Sequence, residues 1–461
     1  MIILYFYENY YVCGFLQICF IVICSNMRLN SIKLSNFRNF REYQIALGAE
    51  TAVFIGKNGA GKTNLLASMV KALSFIFSKQ RGKAQYQFIA SSDQSVKGYR
   101  PLDARYALNN EGIYDYIYPI NIEAYGHIEN GPELFWQFTQ ETNKSGLKDS
   151  RYHAAYNEFW EYYSIRSEKP VLAYFSDSFP HVKTNIGSRM NELLKSGNPL
   201  PDNAGYYKWD EELNCVDIWK RYFSTIWINN RLNTSQNNDD YLSAIISKMI
   251  DFSGNISEFS ADNDMLINDI EVELKDDVKT IYFLFENNKR IDFESLPQGY
   301  KRIFSIVFDI ANRSFLLNQH CNPEGVVFID EIELHLHPSV AREILQRLRR
   351  TFPRMQFIVT THSPLVITNF RQNENNRLFK LFYDDNMNDY KYNLIPDAFG
   401  IDYNSGLTDI MDTPHSDEKL RMLKDAYMYW KRKDIDKAQK IADIIRAEFS
   451  NESVLVQLLD L

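Results

Sequence analysis

The chain is poor in cysteine, and none of its cysteines falls in the pairings that cysteine chemistry needs. Of five, Cys13, Cys19 and Cys24 lie in the first 26 residues, while Cys215 and Cys321 stand alone. There is no C-x-x-C pair and no Cys/His spacing for zinc. That excludes a disulfide scaffold and a zinc module, and it fits reduced thiols in a cytoplasmic protein. Internal repeats, low-complexity tracts and sustained heptads are also missing, so a long coiled coil is not expected. Nor is there an excess of positive charge: 51 basic against 59 acidic residues leave −8. Contact with nucleic acid would then need a local basic patch. What is present is ordinary for a globular chain, 45% hydrophobic and 24% charged, with a ring-rich 14% aromatic share. A length of 461 residues suits about three domains, or one large domain with an insertion.

The first 26 residues differ from the rest. They contain no Lys or Arg and no small-x-small cleavage site before Asn26, so they lack the marks of a signal peptide. Their mostly apolar run, Tyr10 to Cys24, has 15 residues. As a helix it would span about 22 Å, short of a roughly 30 Å hydrocarbon core. Met27 then opens MRLNSIKLSNFRNF like a protein start. We read Met27 as the initiator and residues 1–26 as an upstream over-extension, with no membrane association. The rival is a membrane anchor with Arg28 and Lys33 on the cytoplasmic side.

Hydrophobic patterning predicts strands at 29–34, 43–47 and 51–55, the last β-branched and buried, then a helix at 64–78 and a loop at 79–101. Residues 114–125 alternate again. Five of the six Trp fall between 130 and 265. That stretch reads as a compact helical insertion with helices near 152–165, 216–227 and 240–252. Strands at 267–293, a helix at 301–317, buried strands at 326–329 and 356–360 around a basic helix at 340–351, and a hairpin at 377–394 follow. Two charged helices close the chain from Ser416. The expected domains are an N-terminal lobe at 27–129, the insertion at 130–266, a C-terminal lobe at 267–398 and a helical tail at 399–461.

Three motifs carry chemistry. Gly56-Lys57-Asn58-Gly59-Ala60-Gly61-Lys62-Thr63 fits G-x-x-x-x-G-K-[ST] between a buried strand and a helix, the context that confirms a phosphate-binding loop. Its backbone N–H groups and the helix N-terminus would cradle phosphate oxygens. Lys62 would reach the β/γ-phosphates of ATP, and the Thr63 hydroxyl suits Mg²⁺. The apolar run Val326–Ile329 ends in Asp330-Glu331, two carboxylates at the edge where α/β sheets bind ligands. Asp330 would hold Mg²⁺ and Glu331 would orient the attacking water. Thr360-Thr361-His362-Ser363-Pro364 follows the next buried strand and offers His362 to the γ-phosphate.

Together these motifs resemble the nucleotide-binding domain of ABC-type ATPases, in the SMC/RecF-like branch. The resemblance covers roughly residues 27–125 and 267–395. NFRNF and GKTNLL (Gly61–Leu66) are similar to RecF and its relatives. DEIELHLHP (Asp330–Pro338) and Thr361–Pro364 resemble the AAA ATPases of the OLD and Septu (PtuA-like) type. The implied fold is an α/β P-loop NTPase of ABC/SMC-head type: a central mixed sheet flanked by helices, with a helical insertion and a helical C-terminal tail. The implied roles are catalytic Glu for Glu331 and switch His for His362, with His335–Pro338 as the D-loop equivalent. A metal site at His335-x-His337 lacks a third ligand of fitting spacing.

The family signature, LSGGQ-like, corresponds to Leu296-Pro297-Gln298-Gly299-Tyr300. Pro297 has neither hydroxyl nor N–H, so Ser295, Gln298 and the Gly299 N–H would serve the partner's phosphate in an ATP-sandwiched homodimer, with slower turnover. OLD-type proteins carry a TOPRIM nuclease after the THSP motif. Here 99 residues follow His362; Asp384-Asp385 is adjacent rather than spaced and sits by a hairpin, the stretch from Ser416 reads as helical instead of a Rossmann-like sheet, and no HNH-like cluster is visible. A nuclease, HNH-type in the Septu case, would then act in trans. Contacts with DNA are an option at Arg342, Arg347, Arg349, Arg350 and Arg354, or at Lys79, Arg81 and Lys83; the plain alternative is a solvated helix face. In the tail, Tyr427, Tyr429 and Trp430 beside Lys431–Lys433 either dock a partner or pack on the ATPase core. The readings are thus an ATPase subunit of an anti-phage system, a RecF-like repair ATPase, an ATP-clamped binding module with residual hydrolysis, or a transporter ATPase.

Overall fold

The computed structural model describes residues 27–77, 98–108, 112–128, 130–148, 150–166, 168–180, 186–196, 198–211, 215–231, 239–254, 266–412 and 418–448. The expectations for residues 1–26 and for Lys79, Arg81 and Lys83 lie outside the described residues.

Two larger sheets and a smaller three-stranded one share one hydrophobic core, and two further strands pair with each other. The strands in chain order are β1 (Met27–Phe37), β2 (Phe40–Ala46), β3 (Thr51–Ile55), β4 (Arg105–Leu108), β5 (Tyr114–Ile117), β6 (Ile120–Ile128), β7 (Glu133–Gln140) and β8 (Val171–Phe175). They continue with β9 (Ile267–Lys275), β10 (Val278–Phe285), β11 (Arg290–Asp292), β12 (Gly325–Ile329), β13 (Met355–Thr360), β14 (Asn376–Asp384) and β15 (Asp389–Leu394). One sheet is antiparallel, in the order β2-β1-β6-β7. The other has six strands in the order β15-β14-β3-β13-β12-β8. Its five strands from β14 to β8 run parallel, and β15 closes the edge antiparallel. Strands β3, β8 and β12 are uninterrupted apolar runs, buried at every position, as sheets covered on both faces require.

The helices are α1 (Lys62–Leu73), α2 (Ser150–Ser164), α3 (Ser188–Ser196), α4 (Val216–Arg231), α5 (Asp239–Ser253), α6 (Gln298–Asn318), α7 (Pro338–Thr351) and α8 (Pro364–Thr368). The helices Glu418–Lys431 and Ile435–Glu448 follow. Pro338 opens α7, and Val340, Ala341, Ile344, Leu345 and Leu348 give it one buried stripe. Helix α6 is buried almost all round and binds the insertion through polar contacts. Trp219 Nε1 donates to Asp309 at 2.7 Å and the Tyr241 hydroxyl to Asn312 at 2.6 Å.

The described residues differ from the sequence reading in two places. Helix α6 starts at Gln298 rather than Lys301, so the signature residues form its first turn. The stretch 130–266 is also not wholly helical. Strand β8 lies inside it and pairs parallel with β12 as the outer strand of the main sheet, while β7 edges the other sheet. A five-residue apolar run has no period by which to tell strand from buried helix, so VLAYF gave no strand signal.

Candidate nucleotide site

The carboxyl ends of β3, β12 and β13 converge, and each delivers one motif. Strand β3 ends at Ile55 and the chain turns through Gly56–Gly61 into α1. Gly61 has φ +92°, and a Cβ there would stand 2.7 Å from Asn39 Nδ2 and 3.0 Å from Phe40 Cζ, so only glycine fits. No side chain caps α1 and no acid sits in its first turn, so its leading N–H groups face outward for an anion. Lys62 Nζ donates to the carbonyls of Gly56 at 2.8 Å and Lys57 at 3.2 Å, folded over the loop. Burial lowers its pKa, against the pull of Asp330, Glu331 and Glu333.

Asp330 is the hub. The Thr63 hydroxyl donates to its Oδ2 at 2.7 Å and the Thr360 hydroxyl to its Oδ1. The Thr360 oxygen in turn accepts from the Glu331 N–H at 2.8 Å. This places Glu331 in the left-handed region, φ +48°, where a side chain is costly and the surroundings must hold it. Its carboxyl is half-buried, and its pKa is raised by burial and by the charges of Asp330 and Asp177. His362 is held on the next loop, where its N–H donates to Glu333 Oε1 at 2.6 Å and the Thr361 hydroxyl donates to Oε2 at 2.7 Å. Burial and the nearby Lys62 charge lower the pKa of His362, which favours the neutral ring. The residues fit a magnesium nucleotide: hydroxyl and carboxylate oxygens for the hard cation, amides and an ammonium for phosphate.

A family model for the AAA ATPase domain matches residues 27–367. The chain belongs to the AAA ATPase domain family. It is similar to the retron Vc95 probable ATPase of Vibrio cholerae serotype O1 biovar El Tor, at 25% identity over 441 residues, 87% of this chain and 83% of that one. It is also similar to the Septu protein PtuA of Bacillus mycoides (strain KBAB4), at 36% identity over 101 residues, 22% of this chain and 14% of that one. The Smc head domain of Pyrococcus furiosus superposes with a TM-score of 0.43 at 11% identity, over 80% of this chain and 96% of that one.

In this AAA ATPase the predicted residues of the loop, Asp330, Glu331 and His362 come together. Ser295, Gln298 and Gly299 do not bond to that cluster among the described residues. Ser295 is exposed in a turn capped by Asp292, and Pro297 caps α6. Gly299 is buried against the backbone of His335 and Leu336. His337 caps α7, accepting from Ser339 N, which gives it a structural job in place of a metal.

Sequence reasoning missed three members of the site. Thr360 was quoted only as part of its motif. Asp177 follows β8, and its charge acts on Glu331. Arg302, buried on α6, donates to the carbonyls of Ser176 at 3.0 Å, Asp177 at 3.3 Å, Phe179, and Asp330 at 2.7 Å. Burial lowers its pKa to about 10. A strand that ends in Ser-Asp was the available signal for Asp177; nothing local marks Arg302.

Most of the basic cluster near α7 is structural. Arg347 is buried and donates to the carbonyls of Phe252, Ser253 and Gly254 at 2.8–3.1 Å, with Glu343 beside it at 2.8 Å. Arg349 pairs with Glu50, Arg350 bonds the Gly254 carbonyl, and Arg354 pairs with Glu168. Arg28 is buried in β1 on the carbonyl of Arg354. In the tail, Tyr427, Ala438, Ala442 and Ile445 form a cluster of their own, joined by Trp430, so the two helices pack on each other. No helix of the described residues is long and apolar enough to cross a membrane.

Proposed function

We propose that this chain binds and hydrolyses Mg²⁺-ATP as a homodimer and serves as the ATPase subunit of a defence system, controlling a nuclease that acts in trans in the cytoplasm. The observation that carries the ATPase reading is the 2.7 Å bond from Thr63 to Asp330, which joins the phosphate loop to the acidic strand end with Glu331 next in sequence. The loop amides and Lys62 hold the phosphates. Thr63 and Asp330 would hold Mg²⁺, which would offset the charge of the phosphate oxygens. Glu331, ionised, accepts a proton from water placed in line with the γ-phosphate, and His362 hydrogen-bonds that phosphate. Ser295, Gln298 and the Gly299 N–H of the facing copy complete each site. The defence reading is supported by similarity to a retron ATPase over most of both chains and to a Septu protein over a shorter stretch.

Pro297, with no N–H or hydroxyl at the head of α6, favours a second reading: ATP clamps the pair and hydrolysis is slow. Steady-state phosphate release and sedimentation of wild type and Glu331→Gln separate the readings. Wild type should turn over, and Glu331→Gln should bind ATP, stop turnover and accumulate dimers. Turnover by Glu331→Gln at the wild-type rate would remove the proposal.

A further inference from the structure

We propose that the cavity between α3, α4 and the β9–β10 hairpin is a binding site for a phosphate-bearing effector, seated on Arg221 and Lys279. The cavity holds about 1070 Å³, at the upper end for small-molecule sites, so it can take a ligand the size of a nucleotide. Lys195 enters it from α3, Arg221 and Thr225 from α4, and Lys279 and Thr280 from β10. Lys279 Nζ donates to the Thr225 hydroxyl at 2.9 Å, and an Arg221 Nη donates to Asn191 Oδ1 at 3.2 Å. Among the described residues none of the three cations forms an ion pair.

Three of the four carboxylates that line the cavity are committed elsewhere. Asp217 and Glu294 hold Lys220, Glu294 also holds Lys301, and Asp292 caps the turn Phe293–Ser295. Asp277 stands at the hairpin turn. Burial and the neighbouring Arg221 both lower the pKa of Lys279, so the two cations sense one another without a counterion. Such a pair is relieved by an anion that accepts from several donors at once. A guanidinium, an ammonium and a hydroxyl suit a tetrahedral phosphate group.

The site bears on the signature. Phe293 and Glu294 line the cavity, and Ser295–Gly299 follow directly. Glu294 links Lys220 on α4 to Lys301 on α6. An occupant would therefore press on the first turn of α6. This coupling rests on the proposed function; the binding does not.

Calorimetric titration of the full chain tests it, with inorganic phosphate, ribose 5-phosphate and a short oligothymidine as probes against chloride at matched ionic strength. The titrations are run on Lys62→Ala, whose weakened phosphate loop contributes least. At least one probe should bind saturably, and Arg221→Glu with Lys279→Glu should weaken it at least about tenfold, with Lys279→Gln alone intermediate. Binding of ribose 5-phosphate points to a small effector, and binding of the oligonucleotide alone to a strand; either supports the site. No saturable binding, or equal binding by the double variant, overturns it. ADP binding by Lys62→Ala at the wild-type affinity would count against the phosphate-loop assignment, not against this cavity.

Discussion

Arg302 donates to the backbone carbonyl of Asp330 at 2.7 Å, so the helix that begins with the signature is latched to the strand end that carries the carboxylates. Lysine keeps the charge but cannot reach three or four carbonyls at once. Arg302→Lys should cut kcat about tenfold or more while KM for ATP changes little, since it disturbs Glu331 and leaves the phosphate loop intact. A parallel loss of ATP affinity would mean that the whole site had collapsed.

Lys62 lies over the loop carbonyls and would exchange them for phosphate oxygens. Lys62→Ala should cost about 1.5–3 kcal/mol of nucleotide binding, the worth of a charged hydrogen bond. Titration with a fluorescent ATP analogue reads this directly.

Glu324 is fully buried, bonded by the Tyr163 hydroxyl at 2.8 Å and by the Met27 N–H, and burial raises its pKa to about 7. Folding therefore takes up a proton between the ordinary carboxyl value and 7. The associated stability is present at low pH and falls as pH rises through 7. The slope amounts to roughly 3 kcal/mol at about 1.4 kcal/mol per unit. Glu324→Gln should flatten it in urea unfolding measured from pH 5 to 8. A chain starting at Met27 would set an α-ammonium against this carboxylate, and it too should lose the slope.

Arg347→Ala should destabilise the fold by about 2–4 kcal/mol, because three carbonyls and Glu343 lose a buried partner. Arg342→Ala, on the exposed side of α7, should leave the unfolding midpoint unchanged. Equal midpoints for the two variants would return Arg347 to the solvated face.

Removing residues 416–461 should leave the ATPase body folded, since Tyr427 and Trp430 belong to a cluster confined to the two tail helices. If the tail docks the nuclease, co-purification of that partner should be lost while ATP turnover persists. Loss of both would place the tail in the ATPase itself.

The parts legible in the sequence were those whose signal is local. Thr51–Ile55, Val326–Ile329 and Gln356–Thr360 are apolar runs punctuated by glycine or charge, and each ends in a motif. The helical spacing of Val340, Ile344 and Leu348 was as plain. Strand β8 was hidden because its run, as short as Thr51–Ile55, leads into no recognised motif that marks it as a strand end. Arg302 was hidden because its partners lie well over a hundred residues upstream at Ser176, as well as at Asp330. The basic residues of α7 showed the opposite problem. Their spacing looked like a surface, and only the third dimension brought Gly254 and Glu50 against them.

Gly299 lacks the atom that would strike the His335 carbonyl, with the His335 carbonyl carbon 2.9 Å from where that atom would sit. The turn proposed to meet a facing copy's phosphate therefore rests directly on the loop that follows this chain's own Glu331. In the proposed dimer, two composite sites sharing such a seam would not open independently: loosening one would shift the floor of the other. A bulky residue at 299 would jam its own seam before it met any neighbour, so a loss of pairing in that variant would report on the hinge inside one chain as much as on the contact between two.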